Sequence, residues 1–365
     1  MNRTAAALTA GALLVMGACA PVDARTADDA ATLVERWQAR SGAPAVVAAI
    51  DQPAHGMQVF AAGTRHRGGP PVRANARFRI ASITKMFVGA VVLQLVDEGR
   101  VAIDEPASRY LPAIEIPREV TVRQLLNHTS GIPDYASVPG LGQRLLDDRT
   151  HRWTTAEVLA TVANLRPEFA PGQGYAYSNT DYVLIGQLIE SVTGDTWADQ
   201  VRDRIIEPLE LTATTIPSHG EPPARVVPGY FDADNDGDTE NVETGAWPSL
   251  ETSEGPAGAI VSTVADVTRA TRAILDGTLL PTPLVALMTS SGPHDRRYDG
   301  YGLGVELAYP DRRTLVVGHG GFLPGSRTVT WHVLDHDIVI TVLANESRVD
   351  PTDLAELLLR HTTDL

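Results

Sequence analysis

The sequence predicts an α/β fold in which one sheet is assembled from both ends of the chain and a mainly helical region is inserted between them. Three observations carry this. Strand-like runs occur early, at 45–50 and 57–61, and again late, at 301–307, 315–318, 328–333 and 338–344. From 100 to about 254 the chain reads as helix and loop. At the join, the stretch 79–99 is apolar on nearly every face, which suits a buried helix rather than an amphipathic one. The implied parts are an α/β portion over about 28–81 and 255–365 and a helical portion over about 82–254.

The elements follow in order. Residues 1–19 read as an export signal, with Arg3 followed by an apolar run over 5–17 that is short for a membrane span. It ends in Val15-Met16-Gly17-Ala18-Cys19, which resembles a bacterial lipobox with Cys19 as the lipid-bearing N-terminus, although Met16 is unusual at its position. The rival is cleavage after Ala20, which would leave Pro21 directly behind the cut. Either way the protein is expected outside the cytoplasm, as an anchored lipoprotein or a secreted or periplasmic protein. Residues 20–27 would be a tether. A helix near 28–41 is suggested by the capping pattern Thr26-x-x-Asp29, the stop at Gly42, and Leu33, Val34 and Trp37 on one face. The central helix starts at Ser82 and stops at Gly99. Thr121-x-x-Gln124 and Thr154-x-x-Glu157 open short helices, and 179–192 and 197–206 supply two more. A helix over 265–275 precedes the late strands, and Asp350-Pro351 opens the last helix.

Composition narrows the function. The chain has 365 residues, enough for one large catalytic domain over 28–365. A net charge of −15 and a pI near 5.1 argue against nucleic acid or an anionic membrane surface as partner. A membrane is expected only through the lipid anchor; oligomeric state is not legible. Cys19 is the sole cysteine, so no intrachain disulfide forms.

Lys85 is the only lysine; the other 29 of the 30 basic residues are arginine. It stands in the most apolar stretch of the chain, where an ammonium is costly. A desolvated lysine can lose its proton, whereas an arginine cannot. Ser82 lies three residues earlier, hence on the same helix face and near the positive helix start. A hydroxyl beside such a lysine is an activated nucleophile. The plainer alternative is a capping serine followed by a snorkelling lysine. A second stretch, 171–180, is a Gly/Pro loop in which Tyr177 and Asn179, two apart, point the same way; an aromatic loop with Asn179 as helix cap is the alternative. A third, 316–325, runs a strand into Gly318, His319, Gly320 and Gly321, where backbone can approach a ligand closely.

Taken together, Ser82-x-x-Lys85, Tyr177-x-Asn179 and His319-x-Gly321 resemble, in order and spacing, the serine penicillin-binding and class C β-lactamase-like hydrolases. The stretches 120–131, 175–180 and 300–304 look like the D-alanyl-D-alanine carboxypeptidase branch. The resemblance covers roughly 28–360. It implies a β-lactamase/transpeptidase-like fold, with an antiparallel sheet flanked by helices, and an acyl-enzyme reaction on a small-molecule or short peptide substrate without metal or cofactor. Ser82 would attack, Lys85 would help take its proton, and Tyr177 would relay it to the leaving group. Asn179 would orient Lys85 and bind the substrate amide. His319 would add polar, even cationic, character, with Gly320, Gly321 and Phe322 lining the substrate. The N–H groups of Ser82 and Phe322 would form the oxyanion hole, each donor worth about 3–4 kcal/mol in comparable sites.

The chain also departs from that branch. Carboxypeptidases place carboxylate-binding groups where this sequence has Gly320, Phe322 and, by alignment, Glu306, with Arg327 the one nearby substitute. A carboxylesterase, D-amino-acid amidase or D-aminopeptidase is therefore a live alternative, as is, in another class, a non-catalytic penicillin-recognising sensor. Separately, Asp232, Asp234, Asp236, Asp238 and Glu243 fit the spacing of an EF-hand calcium loop, but Pro-rich sequence replaces the entering helix and a solvated acidic turn is the favoured reading.

Overall fold

The computed structural model describes residues 24–217, 226–233, 236–242, 247–292 and 299–363, the side chains of 24–28 excepted. Cys19 and its lipobox, Asp234 and Glu243 lie outside the described residues. Strand β1 (Ala45–Gln52) sends its even residues to one face and its odd residues to the other, and both faces are buried. It pairs with β2 (Gly56–Gly63) and with the late strand β11 (Ile338–Ala344), which joins the two chain ends. The late strands continue outward as β10 (Ser326–Val333), β9 (Val316–Leu323), β8 (Glu306–Ala308) and β7 (Gly300–Tyr301), an antiparallel seven-stranded sheet in the order β2-β1-β11-β10-β9-β8-β7.

On one face of the sheet pack α1 (Ala24–Ser41) and α11 (Pro351–Thr363), around Val34, Trp37, Trp331, Leu354 and Leu358. The other face receives α9 (Val264–Leu275), and on α9 packs the central helix α2 (Thr84–Asp97), whose residues 84–93 are all buried. Around α2 gather α3 (Val122–Leu126), α6 (Asn179–Thr193), α7 (Trp197–Val201) and α10 (Thr282–Met288). Beside this core lie α4 (Leu141–Asp147), α5 (Thr155–Ala160), α8 (Pro248–Glu254), the short pair β3 (Arg77–Arg79) and β6 (Val261–Thr263), and the hairpin β4 (Tyr230–Phe231) and β5 (Glu240–Asn241). No helix among the described residues is long and apolar enough to cross a membrane.

Several expectations shift. Helix α1 starts at Ala24, so Thr26 lies inside it rather than capping it, and residues 24–27, expected in a tether, are helical. The run 197–206 leaves the α form after Val201 and continues as a π turn, Arg202–Ile206. The run 301–307 is not one strand but the two arms of a hairpin, because Gly304 takes φ +87° in the turn. A Cβ at Gly304 would stand 2.8 Å from the Lys85 carbonyl oxygen, so this turn packs tightly on α2. Strand β9 runs on through His319 and the glycines to Leu323, because β10 pairs with it along that whole length. Both capping boxes form as expected, at Thr121/Gln124 and Thr154/Glu157.

Candidate active site

The nucleophile segment is a sharp turn between β3 and α2. The chain leaves Arg79, enters a 3-10 turn over Ala81–Ile83, and becomes α-helical only at Thr84. Ser82 therefore precedes the helix instead of starting it. Ala81 is buried with φ +52°, a left-handed conformation costing a non-glycine residue about 1–3 kcal/mol. The turn is held by Ile80 N donating to Ile260 O at 3.0 Å and Ile260 N donating to Thr84 Oγ1 at 3.2 Å.

Lys85 is fully buried, and its Nζ reaches Ser82 Oγ at 3.1 Å, Asn179 Oδ1 at 2.8 Å and Ala257 O at 2.7 Å. Burial lowers its pKa from 10.5 to about 8, against the opposing charges of Glu254, Asp134 and Glu306. The two protein oxygens can only accept. A neutral amine therefore spends its two hydrogens on them and turns its lone pair to the Ser82 hydroxyl.

Asn179 opens α6, and its amide orientation is fixed by Asp134. Its Nδ2 donates to the two Asp134 oxygens at 3.2 and 3.3 Å, and its backbone N–H donates to Oδ1 at 3.0 Å. The amide is thus engaged with Asp134 and Lys85. The half-buried Tyr177 ring lies 5.0 Å from Lys85 Nζ, so this phenol and the Asn179 amide do converge on one ammonium.

Strand β9 passes directly over the nucleophile turn. A Cβ at Gly321 would lie 2.6 Å from Ile80 O and 2.9 Å from Ala81 Cβ, so only glycine permits the approach. In the ladder β8 pairs as far as Gly318, and strand alternation turns the backbone of Gly320 and Phe322 to that same edge. The Phe322 N–H therefore faces the edge beyond the end of β8, while its ring, 49% exposed, lies under the Arg327 guanidinium on the α1–α11 face. Arg327 Nε donates to Val349 O on that side, so it does not replace the missing carboxylate-binding groups above Ser82.

His319 contradicts the expectation of a cation. Burial, then the charge of Lys85, lowers its pKa to about 3, and the ring is neutral. Its Nε2 is 2.9 Å from the Tyr301 hydroxyl, and its Nδ1 lies 3.2 Å from Glu306 Oε1. Glu306, buried, also accepts the Gly320 N–H at 2.9 Å. An acid of this protein thus occupies the strand edge beside His319.

Sequence reasoning missed Asp134, Ala257, Glu254 and Tyr301. Asp134 and Ala257 act through a cap and a carbonyl, which leave no side-chain pattern; Glu254 precedes a Gly-Pro turn, its only signal. The described part of the acidic loop is the turn of the β4–β5 hairpin, where Asp232, Asp236 and Glu240 bring carboxylate oxygens within 4.8 Å of one another. Gly237 N and Asp238 N donate to Asp232 and Asp236 at 3.1 and 2.8 Å, the bonds of a solvated acidic turn.

Comparison with known proteins places this geometry. The Beta-lactamase family model matches residues 30–363. Penicillin-binding protein 4 of Amycolatopsis lactamdurans is 31% identical over 64% of this chain and 60% of its own length. D-aminopeptidase of Cereibacter sphaeroides is 28% identical over 77% of this chain and 52% of its own, so the chain spans about half to two thirds of these relatives. Among solved structures, a D-stereospecific amidohydrolase from Streptomyces sp. superposes with TM-score 0.82 at 31% identity, covering 93% of this chain and 99% of that one. The D-amino acid amidase of Ochrobactrum anthropi SV3 gives 0.81 at 26% identity, covering 92% and 99%. The chain belongs to the Beta-lactamase family, whose members are serine hydrolases of that fold.

Proposed function

We propose that the protein hydrolyses the amide or ester of a small substrate whose D-configured acyl part carries a free ammonium group. The observation that carries this is the sign of the surroundings: the charged groups acting on Lys85 are Glu254, Asp134 and Glu306, all acids. Such a site favours a cationic acyl part and repels the terminal carboxylate that a D-alanyl-D-alanine peptide would bring. The names of the D-aminopeptidase and D-amino acid amidase neighbours accord with this reading.

In the reaction, Ser82 Oγ attacks the carbonyl carbon while neutral Lys85 takes its proton, and the N–H groups of Ser82 and Phe322 donate to the developing oxyanion. Tyr177 passes a proton to the leaving amine or alcohol as its bond to carbon breaks. Water then attacks the acyl-Ser82 ester, deprotonated Tyr177 accepting its proton, and protonated Lys85 returns its proton to Ser82 Oγ as the acyl bond breaks. Export with a lipid on Cys19 completes the proposal; mass spectrometry of the native protein finding an unlipidated N-terminus beyond Cys19 would remove that part. The deciding assay compares a D-amino acid amide, a nitrophenyl ester, a chromogenic cephalosporin and a D-alanyl-D-alanine peptide. Preference for the amide is expected. Preference for the peptide overturns the substrate class, and stable acylation of Ser82 without turnover would favour a sensor.

A further inference from the structure

We infer that His128 is the positioning residue of Tyr177, an inference that rests on Tyr177 carrying a proton in the proposed reaction. His128 stands in the 120–131 stretch but touches neither Ser82 nor the strand edge. It holds the tyrosine from three sides. The carbonyl oxygen of His128 accepts the N–H of Ala176 at 3.1 Å, and its ring Nδ1 accepts the N–H of Ser178 at 3.2 Å. These are the two backbone donors flanking Tyr177. The imidazole itself packs on the Tyr177 ring, centroids 4.2 Å apart and planes tilted by 39°.

Both holds depend on an uncommon backbone. His128 has φ +58°, a left-handed conformation that histidine, asparagine and aspartate adopt more readily than other residues with a Cβ. That turn lets carbonyl and ring face the same loop. The ring has no room to leave: it is fully buried, with Tyr301 and Tyr182 at centroid distances of 4.7 and 5.4 Å. Its tautomer is fixed as well. Nδ1 accepts the Ser178 N–H, so the ring proton is on Nε2. Asp181 Oδ2, 3.5 Å from Nδ1, faces a lone pair, and burial pushes the pKa of the Asp181 carboxyl well up. A core histidine kept for packing alone would not need to bond both neighbours of one phenol-bearing residue.

The test is a kinetic double-mutant cycle with Tyr177→Phe, using a D-amino acid amide as substrate and thermal unfolding to verify the fold. Asparagine at 128 tolerates the left-handed backbone but lacks the ring. His128→Asn should lower kcat about tenfold to a hundredfold with KM within about twofold, the mark of a misplaced reacting group rather than lost binding. In the Tyr177→Phe background the same change should alter kcat less than about threefold, because the group being positioned is already gone. Multiplicative losses would overturn the positioning role while leaving that of Tyr177 intact. Tyr177→Phe at the wild-type rate would overturn both. Should His128→Asn not fold, His128→Gly, which suits the same φ, is assayed with added imidazole. Recovery of kcat in His128→Gly, absent from His128→Gly with Tyr177→Phe, supports the role; equal behaviour in both backgrounds overturns it.

Discussion

The Nζ of Lys85 lies 3.1 Å from the Oγ of Ser82. Its remaining contacts, Asn179 Oδ1 and Ala257 O, are acceptors, so the geometry suits an amine that receives a proton from Ser82 rather than a fixed positive charge. Lys85→Arg should therefore lose nearly as much kcat/KM as Lys85→Ala, since arginine keeps the charge and cannot give up its proton. Near-wild-type hydrolysis by Lys85→Arg, with circular dichroism confirming the fold in both variants, would show that charge alone suffices. Ser82→Ala should abolish both turnover and labelling by a fluorophosphonate probe.

The same arrangement fixes a pH dependence. Lysine is cationic below its pKa and neutral above it, and the neutral form is the active one. With burial lowering the pKa of Lys85 to about 8, kcat/KM should rise about tenfold per pH unit below that value and level above it. Burial raises the pKa of Glu254 to about 7, so Glu254 is largely anionic where Lys85 titrates, and its charge holds the Lys85 pKa up. Glu254→Gln removes that charge, so the acid limb of the profile should move to lower pH. A limb that stays in place or moves upward would contradict the assignment of Lys85 as the titrating base.

Stability of the nucleophile turn should depend on a buried ion pair behind it. Arg79, the last residue of β3, meets Glu251 of α8 at 2.9 Å, with side chains only 3% and 4% exposed. The same Glu251 oxygen accepts the Trp247 N–H at 3.1 Å. Arg79→Met leaves a carboxylate buried without its cation and should cost about 3–5 kcal/mol. Arg79→Met with Glu251→Gln keeps the acceptor for Trp247 and removes the stranded charge, so it should lose less than Arg79→Met alone. Urea unfolding midpoints at matched slope measure the difference; equal losses would mean that the pair contributes only packing.

The sheet and its central helix were legible because their signals are local. The unbroken apolar run of 45–50 and the uniform apolarity of 86–93 are properties of consecutive residues. The two chain ends meeting in the β1–β11 ladder followed from strands having no other place to pair. Ser82, Lys85, Tyr177 and Asn179 carry their chemistry in the side chain, and the structure brings the four together. Asp134 was not legible, because it joins the site through its bonds to Asn179, 45 residues away in sequence, and through its charge on Lys85, neither of which leaves a local pattern. The charge on His319 was misjudged for a similar reason. It depends on burial beneath Tyr301 and on the field of Lys85, and neither is written near position 319. The hairpin at 300–308 hid because its arms are two and three residues long, too short for a period to show.

Substrate choice is where Glu306 decides. Its carboxylate accepts the Gly320 N–H at 2.9 Å and lies 3.2 Å from His319 Nδ1, along the β9 edge that would hold the far end of a bound substrate. A substrate carboxylate arriving there meets like charge in a poorly hydrated place, and Arg327, on the opposite face, offers no compensation. Wild type should therefore favour a D-amino acid amide over a D-alanyl-D-alanine peptide by at least about tenfold in kcat/KM, or roughly 1.4 kcal/mol. Glu306→Gln keeps an acceptor for the Gly320 N–H while removing the charge, so it should narrow the gap by improving the peptide, while the amide, whose ammonium loses one of three acids, falls only modestly. Glu306→Arg with Gly320→Thr, which adds a cation and a hydroxyl, should narrow it further. If Glu306→Gln harms both substrates equally, Glu306 serves the strand edge and not selectivity; if neither variant changes the ratio, the substrate's far end lies away from β9.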